Sequence, residues 1–162
     1  MNSESSLRQA TKDDRAKLKE IIDLSFPRFF RFFASHSVDS EDGIVLVNEN
    51  QGTISGFAKL IEFNIDQRKF GCILWIAVHP LCRHRGIGSR LTKAGVNCLR
   101  KSGSQAVFAS TQRRNRSALL TLGSASFERI NFLGLLRFFG WRVFEFYGDI
   151  WFAPGEIVLI HE

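Results

Sequence analysis

The chain has little of what marks several protein classes: three cysteines, three prolines, one methionine and one tyrosine among 162 residues. Cys72, Cys82 and Cys98 are odd in number and lack metal-ligand spacing. That argues against a disulfide framework and for a reducing, cytoplasmic setting. No apolar run is long enough to span a bilayer, and the most apolar stretch, residues 132–141, carries Arg137 in its middle. The opening Met1-Asn2-Ser3-Glu4-Ser5-Ser6 has neither the basic start nor the apolar core of a signal peptide. No linker rich in Pro or Gly divides the chain and no useful repeat appears, so one domain over residues 1–162 is expected. No membrane partner is expected either.

What is present is a globular composition, 44% hydrophobic and 23% charged, with 16 Phe to supply core area. The net charge of +6 favours an anionic partner without naming it. After an extended start at residues 7–10, Thr11 suits the cap of a helix opening on Asp13 and Asp14, with Leu18, Ile21, Ile22 and Ser25 on one face. Pro27 fits the first turn of a second helix. Phe26, Phe29, Phe30 and Phe33 form its apolar stripe, read as core-facing rather than membrane-facing.

Residues 44–47 and 53–63 read as a hairpin about a turn at 48–52, and 70–78 as a central strand closed by His79-Pro80. A helix follows with Ile87, Leu91, Gly95, Cys98 and Leu99 on one side, ended by Ser102-Gly103. Residues 106–110 read as the next strand. Phe132, Leu135, Leu136 and Phe139 give a last helix stopped by Gly140. Residues 143–152 and 157–160 read as a closing hairpin about Ala153-Pro154-Gly155-Glu156. The order predicts a mixed α/β fold.

The informative segment is Ile76-Ala77-Val78-His79-Pro80 followed by Arg83-His84-Arg85-Gly86-Ile87-Gly88-Ser89. A buried strand runs into a basic, glycine-bearing loop that opens an amphipathic helix. Such a loop presents unpaired N–H groups at the positive end of a helix dipole, which suits a phosphate or pyrophosphate. Gly86 and Gly88 let the backbone approach the anion, and Arg83, Arg85 and Arg90 add charge at the rim. A P-loop needs a Lys after its glycines, and a dinucleotide fingerprint needs a third glycine; both are missing.

This segment resembles the GNAT superfamily of acyl-CoA-dependent N-acyltransferases, whose signature Gln/Arg-x-x-Gly-x-Gly/Ala appears as Arg83-x-x-Gly86-x-Gly88 after Val78-His79-Pro80. The resemblance implies a central mixed sheet of about six or seven strands flanked by helices, with acetyl-CoA as co-substrate and no metal. It implies that backbone groups of Ile76, Ala77 and Val78 pair with the pantetheine arm. The amides of His84, Arg85, Gly86, Ile87, Gly88 and Ser89 would hold the pyrophosphate, and Asn115 would bond the pantetheine or simply cap a helix.

The chain departs from the family at its acid. The family's Tyr position falls on Leu122 when counted from Asn115 and Ala118, with Ser126-Phe127 as the Gly-Phe pair. Counted back from Gly140-Trp141 it falls on Leu136, the register preferred because strand chemistry begins just after it. That register requires an insertion after Asn115. Some relatives carry a Glu where Ser110 stands, so Glu62 is the candidate base, with a solvated strand-edge carboxylate as the alternative. His79 reads as structural and Tyr147 as structural on a late strand; the resemblance sets His36 near where relatives bind acceptor substrates, with a plain surface residue as the alternative.

The leading expectation is an N-acetyltransferase acting on a primary amine of a small molecule or protein, as monomer or homodimer. A CoA-binding regulatory module without chemistry is the alternative. Nucleic-acid binding, suggested by Gln112-Arg113-Arg114-Asn115-Arg116, is a third class, set aside because no aromatics interleave the arginines.

Overall fold

The computed structural model describes residues 5–162. In chain order the elements are β1 (Ser5–Gln9), α1 (Arg15–Ser25), α2 (Arg28–Asp39), β2 (Ile44–Asn50), β3 (Thr53–Ile65) and β4 (Arg68–Val78). There follow α3 (Ile87–Lys101), β5 (Val107–Gln112), α4 (Arg116–Gly123), β6 (Glu128–Ile130), α5 (Phe132–Phe139), α6 (Val143–Asp149) and β7 (Glu156–His161). The strands form one seven-stranded sheet in the order β1-β2-β3-β4-β5-β7-β6. β4 and β5 run parallel, while β1–β2, β2–β3, β5–β7 and β6–β7 run antiparallel. The fold is mixed α/β, as expected.

By compactness the chain divides into two units, Met1–Leu60 with Trp75–Gly95, and Ile61–Leu74 with Val96–Glu162. In the first, Leu18, Ile21 and Ile22 of α1 bury their shared face against Val47 of β2 and Phe57 of β3. The Thr11 N–H donates to the Asp14 carboxylate at 2.7 Å, and Arg8 on β1 grips that carboxylate at 2.7 and 2.9 Å. The Arg8 guanidinium holds Asp14 down at a pKa of about 2, against the burial that would raise it. Lys59, buried on β3, donates to the Ser40 carbonyl just past α2 at 3.4 Å. A cation suits the negative end of a helix. Burial pushes the Lys59 ammonium below its usual range, partly offset by Asp42.

The second unit is built on rings. Phe63, Phe70, Phe108, Phe139 and Phe146 share one core, with centroids 4.8 Å apart for Phe108–Phe146 and 4.7 Å for Phe139–Phe146. Gly71 lets α3 close on β4: a Cβ there would lie 2.9 Å from three Leu99 atoms.

Several sequence expectations change. Residues 143–152 are not a strand. Phe139, Val143, Phe146 and Ile150 recur at helical spacing and all four are buried, so α6 forms and the aromatic, β-branched composition misleads. The 153–156 turn stands, with the Glu156 N–H on the Ala153 carbonyl at 3.2 Å and Gly155 at φ +84°. Residues 116–123 form a helix and 128–130 a strand, neither of which the sequence reading assigned. Strand chemistry therefore begins just after Phe127 and not after Trp141, which restores the register that puts Leu122 at the family's Tyr position. On α2, Phe29 and Phe33 face solvent instead of the core.

Candidate functional site

The basic loop lies wholly within the first unit. β4 ends at Val78, a 3-10 turn spans Pro80–Cys82, and residues 83–86 are exposed before α3 begins at Ile87. His79 anchors the departure. Its N–H donates to the Ser55 carbonyl on β3 at 2.8 Å, and its carbonyl accepts from Cys82 N–H at 2.8 Å. Its ring Nδ1 accepts from Leu81 N–H at 3.3 Å, and Nε2 lies 3.4 Å from Glu20 on α1. The structural reading of His79 therefore stands. His84 at φ +62° and Gly86 at φ +73° make the reversal into the helix. The first helical bond is Arg90 N–H to the Gly86 carbonyl at 3.0 Å. The amides of Ile87 and Gly88 thus sit at the open, positive end of α3.

Because His79 N–H faces β3, strand alternation turns the backbone groups of Ile76 and Val78 away from β3. The Val78 carbonyl accepts from Arg83 Nε at 3.2 Å and Ser25 Oγ at 3.4 Å. The parallel ladder of β4 with β5 joins only Gly71, Cys72 and Ile73 to Val107, Phe108 and Ala109, well before Ile76. Gly56 on β3 had no sequence signal to mark it. A Cβ there would lie 2.8 Å from the Ala77 carbonyl oxygen and 3.2 Å from Ile87, so only glycine lets β3 approach the end of β4 and the start of α3.

The arginines divide their work differently from the expectation. Arg83 braces the end of β4, and Arg90 bonds the side chains of Ser5 and Asn48. Of the three arginines assigned to the rim, that leaves Arg85 without an intramolecular task among the described residues. The wider electrostatic signal lies in the sequence: residues 67–127 hold eleven Arg and Lys and no Asp or Glu. Such a stretch favours an anionic ligand over a cation.

Glu62 and Asn115 belong to the second unit. Glu62 accepts from Ser102 Oγ and pairs with Lys69 at 2.9 Å. Burial alone would raise its pKa, but the Ser102 hydroxyl and Lys69 ammonium outweigh it and hold Glu62 below the usual carboxylate range. Asn115 caps α4, its side-chain oxygen accepting from Ala118 N–H at 3.1 Å. Leu122 is buried on α4. Tyr147 is half-buried on α6 against Phe152, with centroids 4.7 Å apart, and burial raises its pKa. A carboxylate the sequence reading missed, Glu156 on β7, accepts from Ser110 Oγ at 2.9 Å and Ala153 N–H at 3.0 Å. Sheet pairing brings it there across 46 residues, which no local pattern reveals.

Among the described residues, no group of three or more His, Cys, Asp or Glu is placed to hold a metal. No helix among them is long and apolar enough to cross a membrane.

The sequence model of the acetyltransferase (GNAT) family matches residues 8–121. A search of the curated proteins found no match. Among solved structures, a protein of Desulfovibrio desulfuricans described as of the GNAT family is similar at a TM-score of 0.76 and 17% identity, covering 98% of this chain and 99% of that one. A Bacillus subtilis acetyltransferase in complex with CoA matches at 0.69 and 16% identity, covering 98% and 99%. The ribosomal-protein-S18-alanine N-acetyltransferase of Escherichia coli matches at 0.67 and 17%, covering 97% and 92%. At these identities the likeness is one of fold.

Proposed function

The chain belongs to the acetyltransferase (GNAT) family, and we propose that it transfers an acetyl group from acetyl-CoA to a primary amine. The observation that carries the reading is the exposed loop at residues 83–86, opening α3 with two left-handed residues inside an acid-free stretch. It has the open amides and the charge that a pyrophosphate needs. His84, Arg85, Gly86, Ile87, Gly88 and Ser89 would hold the phosphates, with Arg83 keeping the end of β4 in place. Ile76 and the Val78 N–H would pair with the pantetheine arm.

Acetyl-CoA supplies an acetyl group activated as a thioester. The amine must lose a proton before its nitrogen bonds the carbonyl carbon and the carbon–sulfur bond breaks. The departing thiolate is the base of a thiol whose pKa is roughly 8.5, so water suffices to protonate it. That matters because the family's Tyr position is Leu122, a buried leucine. Two tasks are open to Glu62: taking the amine's proton, or tying β3 to the turn after α3. Its contacts with Ser102 and Lys69 support the second. Catalysis then rests chiefly on holding amine and thioester together.

The test is binding. Gly88→Val should abolish acetyl-CoA binding by calorimetry in a protein whose circular dichroism is unchanged; unchanged affinity would show that the site is misplaced. A second reading, a CoA-binding module without turnover, draws on the buried Leu122 and the engaged Glu62. A panel of amines with acetyl-CoA and a thiol-detecting dye separates the two, since the module binds CoA and releases no thiol with any acceptor.

A further inference from the structure

α2 is built inside out. Its buried positions are Ala34 and Ser37, small residues, whereas Phe29, Phe32 and Phe33 are 68%, 71% and 38% exposed. The rings form one cluster, with centroids 5.3 Å apart for Phe29–Phe33 and 5.5 Å for Phe32–Phe33. His36 continues it, stacked on Phe32 at 6.4 Å with planes 6° apart. Together the three phenylalanines leave roughly 350 Å² of ring surface in water. That is within the size range of the largest apolar patch on a typical monomer, a patch that is often functional.

Beside the rings runs a row at four-residue spacing, Arg31, Ser35 and Asp39, which with Phe32 and His36 lines a shallow groove. The row is basic at one end, neutral at its centre and acidic at the other. A surface that meets its own copy about a two-fold axis must be self-complementary in this way. An axis at Ser35 sets Arg31 against the second copy's Asp39, and the reverse. It also opposes the two helix dipoles and lets each row seat beside the other's rings as ridges fill grooves. A lipid surface would favour an unbroken basic border, and Asp39 interrupts it. Aromatic residues with arginine are also the composition enriched in protein interfaces.

We propose that α2 is the two-fold contact of a homodimer, crossing the α2 of a second copy at Ser35. The ring surface alone is less than half of the ~800 Å² that each partner of a standard interface buries. The groove residues supply more, so the dimer is weak and concentration-dependent. Asp39 already pairs with Arg15 at 2.7 Å and Lys19 at 3.7 Å, and Arg31 Nε donates to the Phe26 carbonyl at 2.8 Å, so the second copy's Arg31 would join that cluster through its terminal nitrogens rather than replace a partner.

Sedimentation of the full chain from about 1 to about 100 μM should show a monomer–dimer equilibrium with a micromolar Kd. Phe32→Asp, at an exposed position, should weaken it at least tenfold while circular dichroism and Tm hold; Phe29→Asp serves if Phe32→Asp fails to fold. In a Cys82→Ser, Cys98→Ser background, Ser35→Cys should cross-link to its own copy through a short bismaleimide, and Leu120→Cys, on α4, should not. A chain that stays monomeric, or a dimer untouched by the Phe→Asp changes, overturns the proposal. So does a monomer that binds anionic vesicles in a Phe32-dependent way, which would give the face to a lipid surface.

Discussion

Replacing Gly86 by alanine isolates the backbone's share of the loop. Gly86 holds φ at +73°, and a Cβ built there meets no atom within 4 Å. The substitution adds no clash, so its cost is the left-handed backbone alone, about 1–2 kcal/mol for a residue with a Cβ. That cost appears in one of two places. If residues 83–86, exposed as they are, relax in the free protein, acetyl-CoA must restore the left-handed turn, and Kd rises about fivefold to thirtyfold. If the loop cannot relax, the strain falls on folding and lowers Tm by about 2–4 °C per kcal/mol. The exposure of the loop favours the first outcome, with most of the loss in affinity. Titration calorimetry and thermal melts on the same preparations measure both. An alanine protein unchanged in both would refute the reasoning, because the left-handed turn at residue 86 would then serve neither the fold nor the ligand.

Gly56→Val should act on stability instead, because its Cβ starts 2.8 Å from the Ala77 carbonyl oxygen; overpacking of about 1–3 kcal/mol should appear as a lower midpoint in chemical denaturation. Asp14 titrates at about 2 in the folded chain against 3.8 ordinarily, so its bond to Arg8 stabilises the fold above pH 4 and is lost as pH falls towards 2. Asp14→Asn should therefore cost about 1–2 kcal/mol at pH 7, a gap to the parent that closes across that acid window in thermal melts. Glu62→Gln and Tyr147→Phe should each leave turnover within a few-fold in the thiol-release assay. A loss of tenfold or more for Glu62→Gln would restore it as the base.

The sequence made the strand, loop and helix around Gly86 legible because each carries a local sign: a buried apolar run, glycines in a basic loop, and an amphipathic repeat. The mixed α/β class followed from the same order of elements, whereas the parallel pairing of β4 with β5 came only with the structure. Residues 143–152 were misread because their Phe, Trp and Ile suit strands by composition, and only burial reveals that every third or fourth one packs. The stripe on α2 was misread for the opposite reason. Its spacing is that of a core helix, yet Ala34 and Ser37 take the inner side. Gly56 and the Ser110–Glu156 pair were invisible for want of any local pattern. A close approach between strands, or a bond across 46 residues, exists only once the sheet is formed.

The central claim is that acetyl-CoA sits on the loop opening α3, and amide chemical shifts of the ¹⁵N-labelled chain during a titration with acetyl-CoA test it most directly. The account predicts saturable shifts concentrated at His84, Arg85, Gly86, Ile87, Gly88 and Ser89, with Ile76 and Val78 following. Shifts confined to the exposed cluster of Arg113, Arg114 and Arg116, with the loop amides unmoved, would contradict it.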